Sequence, residues 1–323
     1  MEPRPLLTLG VASSALFDLS ESDRVHREQG VEAYRRYQEE HLDDPLAAGP
    51  AQPFLRRLLG LNEVVPGAVD VIVMSRNSAE TGLRVMRSIT SAGLPISRAV
   101  FREGLSSFEF MRALDMSLFL TSHEGDVAQA ISSGLPAGRV LKGPVPDDDG
   151  ESLRVAFDFD GVLADDSSER LFREKGLTGF AHHEATHADL PLPQGPLAGF
   201  LQGLNRIQAA EAERGRGPGR LRIALVTARS APAHERAVRS LLAWGLRVDE
   251  AFFLGGLDKA SVLEVLRPHI FFDDQMGNLE NLQHAPAVHV PFGVANVDAG
   301  SDKQPATGLS LPHQPRRGIS SLP

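Results

Sequence analysis

The stretch LRVAFDFDGVL, residues 153–163, runs from an apolar segment into two carboxylates one residue apart and then a glycine. Short apolar, β-branched runs bounded by turn residues read as buried strands. Side chains on a strand alternate between faces, so Asp158 and Asp160 share one side while Phe159 turns away. At the end of a parallel strand both stand at the carboxyl edge of the sheet, where such folds bind ligands. Gly161 lets the backbone turn sharply and come close to a ligand. Two neighbouring carboxylates repel, a repulsion that a divalent cation relieves, and an all-oxygen site of this kind suits Mg²⁺. The plain alternative is an Asp-rich turn that closes a strand.

Outward from this stretch the same kind of run recurs at LRIALVT (221–227), AFFL (251–254), HIFFD (269–273) and AVHVP (287–291). Between them lie HERAVRSLLAW (234–244) and SVLEVLR (261–267), whose apolar residues repeat at helical spacing. Alternation of this kind predicts an α/β fold with a parallel sheet. Thr227 ends the second strand with a hydroxyl able to donate to a phosphate oxygen; capping a helix is the other use for it. Lys259 stands at a helix start, where its charge can lie against a phosphate; at about 4 Å one such contact is worth about 4 kcal/mol in a partly screened site. Asp273 and Asp274 close a further strand with a second acid pair.

In this order, each at a strand end or a helix start, these residues resemble the four-part signature of the haloacid dehalogenase (HAD) superfamily of phosphohydrolases. The resemblance implies Asp158 as nucleophile and Asp160 as general acid and base. It implies Thr227, the adjoining Ala228 and Lys259 as phosphate binders, and Asp158, Asp160, Asp273 and Asp274 as the surroundings of Mg²⁺. The segments VASSALF (11–17), EQGVEAYRRYQ (28–38), GPLAGFL (195–201), LVTARSA (225–231), RPHIFFDDQM (267–276) and HVPFGVA (289–295) are similar to the cytosolic 5′-nucleotidase I family. That likeness runs from about residue 6 to 295 and implies hydrolysis of nucleoside 5′-monophosphates, AMP or deoxynucleotides first. Vertebrate members of the family read FDGDAVL where this chain reads FDFDGVL, the commoner phosphatase form. A phosphatase of another small monoester, such as a sugar phosphate, and a non-catalytic nucleotide-binding regulator are the alternatives.

The first half repeats the layout of the second. His41 and His187, Pro45 and Pro191, Gly49 and Gly195, and Phe54 and Phe200 share an offset of 146 residues. From Ser78 and Ser230 to Gly104 and Gly256 the offset is 152. This predicts an internally duplicated chain: a degenerate HAD-like repeat at 1–143, a linker at 144–152, and a catalytic unit at 153–298 with a small cap inserted at about 165–220. Residues 299–323, rich in Ser, Gly and Pro, are expected to be disordered. At the counted offsets Asp158, Asp160, Thr227, Lys259, Asp273 and Asp274 fall opposite Ala12, Ser14, Ser75, Ser107, Thr121 and Ser122. Every candidate acid and cation is a small neutral residue there, so the first half is expected to be catalytically silent.

Composition narrows the functions further. A formal charge of −9 argues against gripping a nucleic acid polymer by its backbone. The absence of cysteine excludes thiol chemistry and fits a reducing compartment. No apolar run approaches the roughly 20 residues of a membrane span, and the first residues lack the pattern of a signal peptide, so the expected address is the cytoplasm. Self-association stays open. His182, His183 and His187 in HHEATH imitate a metal pair but lack a third ligand, and Arg214, Arg216 and Arg220 read as a solvated loop. Arg229 and Ser230 follow Thr227 within reach of a substrate, while the match of Ser230 to Ser78 favours a helix start for the serine.

Overall fold

The computed structural model describes residues 4–141, 150–215, 219–280, 282 and 285–296. The expected tail and residues 144–149 of the expected linker lie outside them. The first half runs β1 (Leu7–Val11), α1 (Ser13–Leu16), α2 (Ser20–Glu40), α3 (Gln52–Gly60), β2 (Val69–Ser75), α4 (Gly82–Ser91), β3 (Arg98–Phe101), β4 (Leu118–Thr121), α5 (Glu124–Ser132) and β5 (Ala137–Val140). The second runs β6 (Leu153–Phe157), α6 (Ser167–Thr186), α7 (Ala198–Glu213), β7 (Leu221–Thr227), α8 (His234–Ala243), β8 (Glu250–Phe253), α9 (Lys259–Leu266), β9 (Ile270–Asp273) and β10 (Ala287–His289).

All ten strands join one sheet in the order β3-β2-β1-β4-β5-β10-β9-β6-β7-β8. Neighbours are parallel except β5 and β10, which pair antiparallel through Val140 with Val288 and Arg139 with His289. Each half therefore contributes its own strands in the order third, second, first, fourth, fifth. Strands covered by helices on both faces are apolar throughout; Val155, Ala156 and Phe157 of β6 are all buried. One face of the sheet carries a core shared by both halves, with Phe54, Leu58, Phe157, Phe200 and Phe272 in it. On the other face each half keeps a cluster of its own, around Phe119 in the first and Phe271 in the second. The shared layer is interlocked: α7 packs on β1 and α3 on β6. A Cβ at Gly203 of α7 would stand 2.5 Å from a Leu7 methyl, so a larger residue there would displace the Leu7 side chain.

Several residues at the counted offsets make like contacts in the two halves. Both long helices, α2 and α6, break at a left-handed glycine, Gly30 with φ +84° and Gly176 with φ +64°. The Ser88 hydroxyl accepts the Leu46 N–H at 3.0 Å, and Ser240 accepts Leu192 at 2.9 Å. Arg84 Nε donates to the Asp44 carbonyl and Arg236 Nε to that of Leu190. In the second half the strand order reverses between β6 and β9, and the crevice at such a reversal, at the carboxyl ends, is the usual ligand position.

Candidate active site

Asp158 follows the last residue of β6, and its N–H donates to the Phe272 carbonyl at 2.8 Å, extending the pairing with β9. This bond fixes the backbone from which the carboxylate projects. Lys259 opens α9, whose N-cap Asp258 accepts the Ala260 N–H at 2.9 Å. The Lys259 ammonium is buried, 3.0 Å from Asp158 Oδ1 and 2.7 Å from Asp273 Oδ2. Asp273, at the end of β9, also accepts the Gln275 N–H at 2.8 Å and the Asn278 amide at 3.1 Å. Asp158, Asp273 and Asp274 can bring one ligand atom each within 4.8 Å of the others, and no other such group exists among the described residues.

Two oxygens in this cluster are unsatisfied. Asp274 Oδ1 is buried with no hydrogen-bond partner, and Asp158 Oδ1 has the Lys259 charge nearby but no aligned hydrogen bond. Burial pushes the Asp158 carboxyl up to about 7, with Lys259 pulling it back and Asp273 and Asp160 pushing it higher. Burial, then the charges of Asp158 and Asp273, push Asp274 up to about 9. Burial alone lowers the Lys259 ammonium, but Asp158 and Asp273 outweigh it and hold it above its ordinary value. One cation thus faces three buried acids, of which Asp274 keeps an oxygen without a partner, a donor set of the kind that hard divalent ions take. Gly161, at φ +71°, makes room: a Cβ there would lie 2.5 Å from Asp274 Oδ2.

Thr227, the buried last residue of β7, accepts the Arg229 N–H on its hydroxyl at 3.2 Å, and Ala228 beside it is exposed. The sequence reading grouped the Asp160 side chain with the metal ligands. The fold gathers Asp158, Asp273 and Asp274, and turns the Asp160 carboxylate to Arg229 in a two-pronged pair of 2.8 and 2.7 Å. Arg229 is buried and also donates to Glu184 Oε2 at 2.5 Å, to Ser168 Oγ at 2.7 Å and to the Ala233 carbonyl at 3.1 Å. Glu184 is fully buried on α6 and takes a second charge from Arg236 at 2.8 Å. Sequence reasoning noted Arg229 but missed Glu184 and Ser168. The only signal was an acid inside HHEATH, whose histidines instead stack, His183 on His187, at 4.0 Å.

At the matching positions of the first half, Ser75, Ser107 and Ser122 are hydrogen-bonded to neighbouring hydroxyl and carbonyl groups. Ser13 and Ser75 share a hydrogen bond of 3.0 Å, Ser107 donates to the Ser75 carbonyl, and Ser122 donates to that of Ser14. A cavity of about 500 Å³ lined by Glu63, Arg220 and Asp249 lies at the opposite, amino-terminal edge of β7, remote from the acids.

A family model described as 5′-nucleotidase matches residues 2–297. Human "Cytosolic 5′-nucleotidase 1B" is 34% identical over 299 residues, covering 89% of this chain and 49% of that protein. The chain therefore spans about half the length of that curated relative. No solved structure matches it. With the match running through both halves and over every residue of the acid cluster, the chain belongs to the 5′-nucleotidase family.

Proposed function

We propose that this chain is a Mg²⁺-dependent phosphomonoesterase that hydrolyses nucleoside 5′-monophosphates, AMP or deoxynucleotides first, through an aspartyl-phosphate at Asp158. The observation that carries the reading is the meeting of Asp158, Lys259, Asp273 and Asp274, from three separate strand and helix ends, in one buried cluster of a 5′-nucleotidase family member. Asp274 has an unpartnered oxygen and Asp158 an oxygen met only by the Lys259 charge, which suits a divalent ion, and Asp273, tied to Lys259 and Asn278, orients the cation-binding edge. When bound, Mg²⁺ supplies electrostatic screening between the two anions and offsets charge on the transferring group.

The chain's own residues do the rest. Asp158 Oδ attacks phosphorus, and the bond from phosphorus to the ribose O5′ breaks. The departing oxygen takes a proton from Asp160, which leaves a nucleoside and a phosphorylated Asp158. Asp160 then takes a proton from water as its oxygen attacks phosphorus. The bond to Asp158 breaks, returning the carboxylate and releasing phosphate. Lys259 steadies the negative oxygens, while the Thr227 hydroxyl and the Ala228 backbone, at the carboxyl end of β7, hold the phosphoryl group.

The HAD-like fold, the internal duplication and the domain bounds of 1–143 and 153–298 belong to the same proposal. They are supported by the common strand order of the two halves and the repeated kinks at Gly30 and Gly176. The first half is a silent copy, with Ala12 and hydroxyl residues where the second half has its acids, Thr227 and Lys259, and α6 within 165–220 is the cap element. The human relative is named cytosolic, no helix among the described residues is long and apolar enough to cross a membrane, and we assign the chain to the cytoplasm. Phosphate release from AMP, deoxynucleotides, IMP and sugar phosphates, with Mg²⁺ and with EDTA, tests the reading. Metal-dependent release led by a nucleotide supports it, preference for a sugar phosphate moves the substrate class, and no release from any of them rejects it.

A further inference from the structure

We propose that Arg229, held by Glu184 and Ser168 of α6, is a positioning residue that keeps the Asp160 carboxylate out of the cation site, on the side from which it exchanges protons with the substrate. The inference rests on the reading above. Asp158 and Asp160 leave the same strand end, and an unrestrained Asp160 carboxylate would turn to a cation bound among Asp158, Asp273 and Asp274. The two-pronged pair with Arg229 holds it on the α6 side instead, a geometry for which a guanidinium is suited and an ammonium is not. Arg229 is itself fixed: the Phe159 and Phe180 rings lie 5.0 and 5.6 Å from its guanidinium centre, and α6 supplies Glu184 and Ser168. The element proposed as the cap thereby sets the position of the acid and base.

The first half provides an internal control. At the same offsets Arg229 corresponds to Asn77, Glu184 to Gln38 and Asp160 to Ser14, while Arg236 corresponds to Arg84 and Ser168 to Ser22. Arg84 still donates to Gln38 Oε1 at 3.2 Å and to the Asp44 carbonyl at 3.0 Å, and Ser22 is still buried. Tyr34, at the position of Phe180, donates to Asn77 Oδ1 at 2.8 Å. The first half therefore docks its long helix through Arg84, the Tyr34–Asn77 hydrogen bond and the Arg35–Glu103 pair, without the Arg229–Glu184–Asp160 charges. A like helix is thus docked with the neutral Gln38 and Asn77 in the half that lacks the catalytic residues, and the Glu184 and Arg229 charges accompany the chemistry.

The test transplants the first half's residues as the double variant Arg229→Asn/Glu184→Gln, which removes one buried charge of each sign. Two substrates are compared, a nucleoside 5′-monophosphate, whose alkoxide needs a proton, and p-nitrophenyl phosphate, whose nitrophenolate leaves without one. The expected result is a loss of about 10²-fold or more in kcat/KM on the nucleotide, the scale of general acid catalysis. On p-nitrophenyl phosphate kcat/KM stays within about tenfold, and a burst of nitrophenolate appears as the water step slows. Equal loss on both substrates without a burst, or no loss on either, overturns the proposal. If the double variant does not fold, Arg229→Lys decides, with the same shift in substrate ratio supporting the proposal and an unchanged ratio overturning it. A wild-type protein inactive on both substrates rejects the phosphatase reading itself, a result distinct from either.

Discussion

The Lys259 ammonium stands 3.0 Å from Asp158 Oδ1, and both groups are buried at the carboxyl edge of the sheet. Asp273 lies 2.7 Å from the same nitrogen, so one cation is shared by two acids while Asp274 beside them keeps an unsatisfied oxygen. A buried cluster with more acids than bases is costly to fold, because removing charge from water is compensated only where a partner of opposite sign is close. The arrangement is one that binding a further cation and a phosphoryl group completes.

Lys259→Met removes the only cation contacting Asp158 and Asp273 among the described ion pairs. Breaking a buried pair by deleting one partner costs about 3–5 kcal/mol, and losing a charge aimed at the transferring group costs about 10²-fold or more in kcat. Urea unfolding and steady-state kinetics on the same preparation check both. Added Mg²⁺ should restore part of the stability and little of the turnover.

The acid cluster also gives the metal-free protein a pH dependence of definite sign. Asp158 and Asp274 are held at about 7 and about 9 in the fold, above the 3.8 of an exposed aspartate. The folded state thus binds more protons than the unfolded chain across this window, and stability falls as pH rises from about 4 through 7 toward 9. In EDTA, Tm should be lower at pH 8 than at pH 6. Mg²⁺ requires the ionised carboxylates, so the rise in Tm that it produces should be larger at pH 8. A metal-induced rise that does not depend on pH contradicts this.

Gly161→Ala tests the packing around Asp274. The residue would sit at φ +71° with its Cβ 2.5 Å from Asp274 Oδ2, so left-handed strain of about 1–3 kcal/mol comes with displacement of a candidate metal ligand. Gly30→Ala, at φ +84° with nothing within 4 Å of its Cβ, carries only the strain. Both variants should lose stability, but only Gly161→Ala should weaken the Mg²⁺-induced rise in Tm and reduce turnover. Calorimetric titration with Mg²⁺ separates them.

Much of the fold was legible because its signals are local. The run 153–157 before Asp158 and the run 221–227 ending in Thr227 became adjacent parallel strands, and the strands of each half follow the same order. Whether the two halves form one sheet depends on pairing Val140 with Val288, a contact between distant residues that no local pattern encodes. The meeting of Asp158 with Lys259 and Asp273 followed from their places at strand and helix ends. The partner of Asp160 did not, because Arg229 reads as a loop residue after Thr227. Glu184 sits among histidines on a helix with an otherwise exposed face, and its burial comes from packing against Arg229 and Arg236.

The chemistry of one side chain, Asp158, carries the proposed reaction. The protein is incubated with its best nucleotide and Mg²⁺, quenched in acid and reduced with borohydride, which converts a phosphorylated aspartate to homoserine, and the peptide bearing residue 158 is read by mass spectrometry. Homoserine at 158 in the wild type, with neither conversion nor turnover in Asp158→Asn, is the predicted result. Turnover that persists in Asp158→Asn, or conversion at another acid instead, contradicts it.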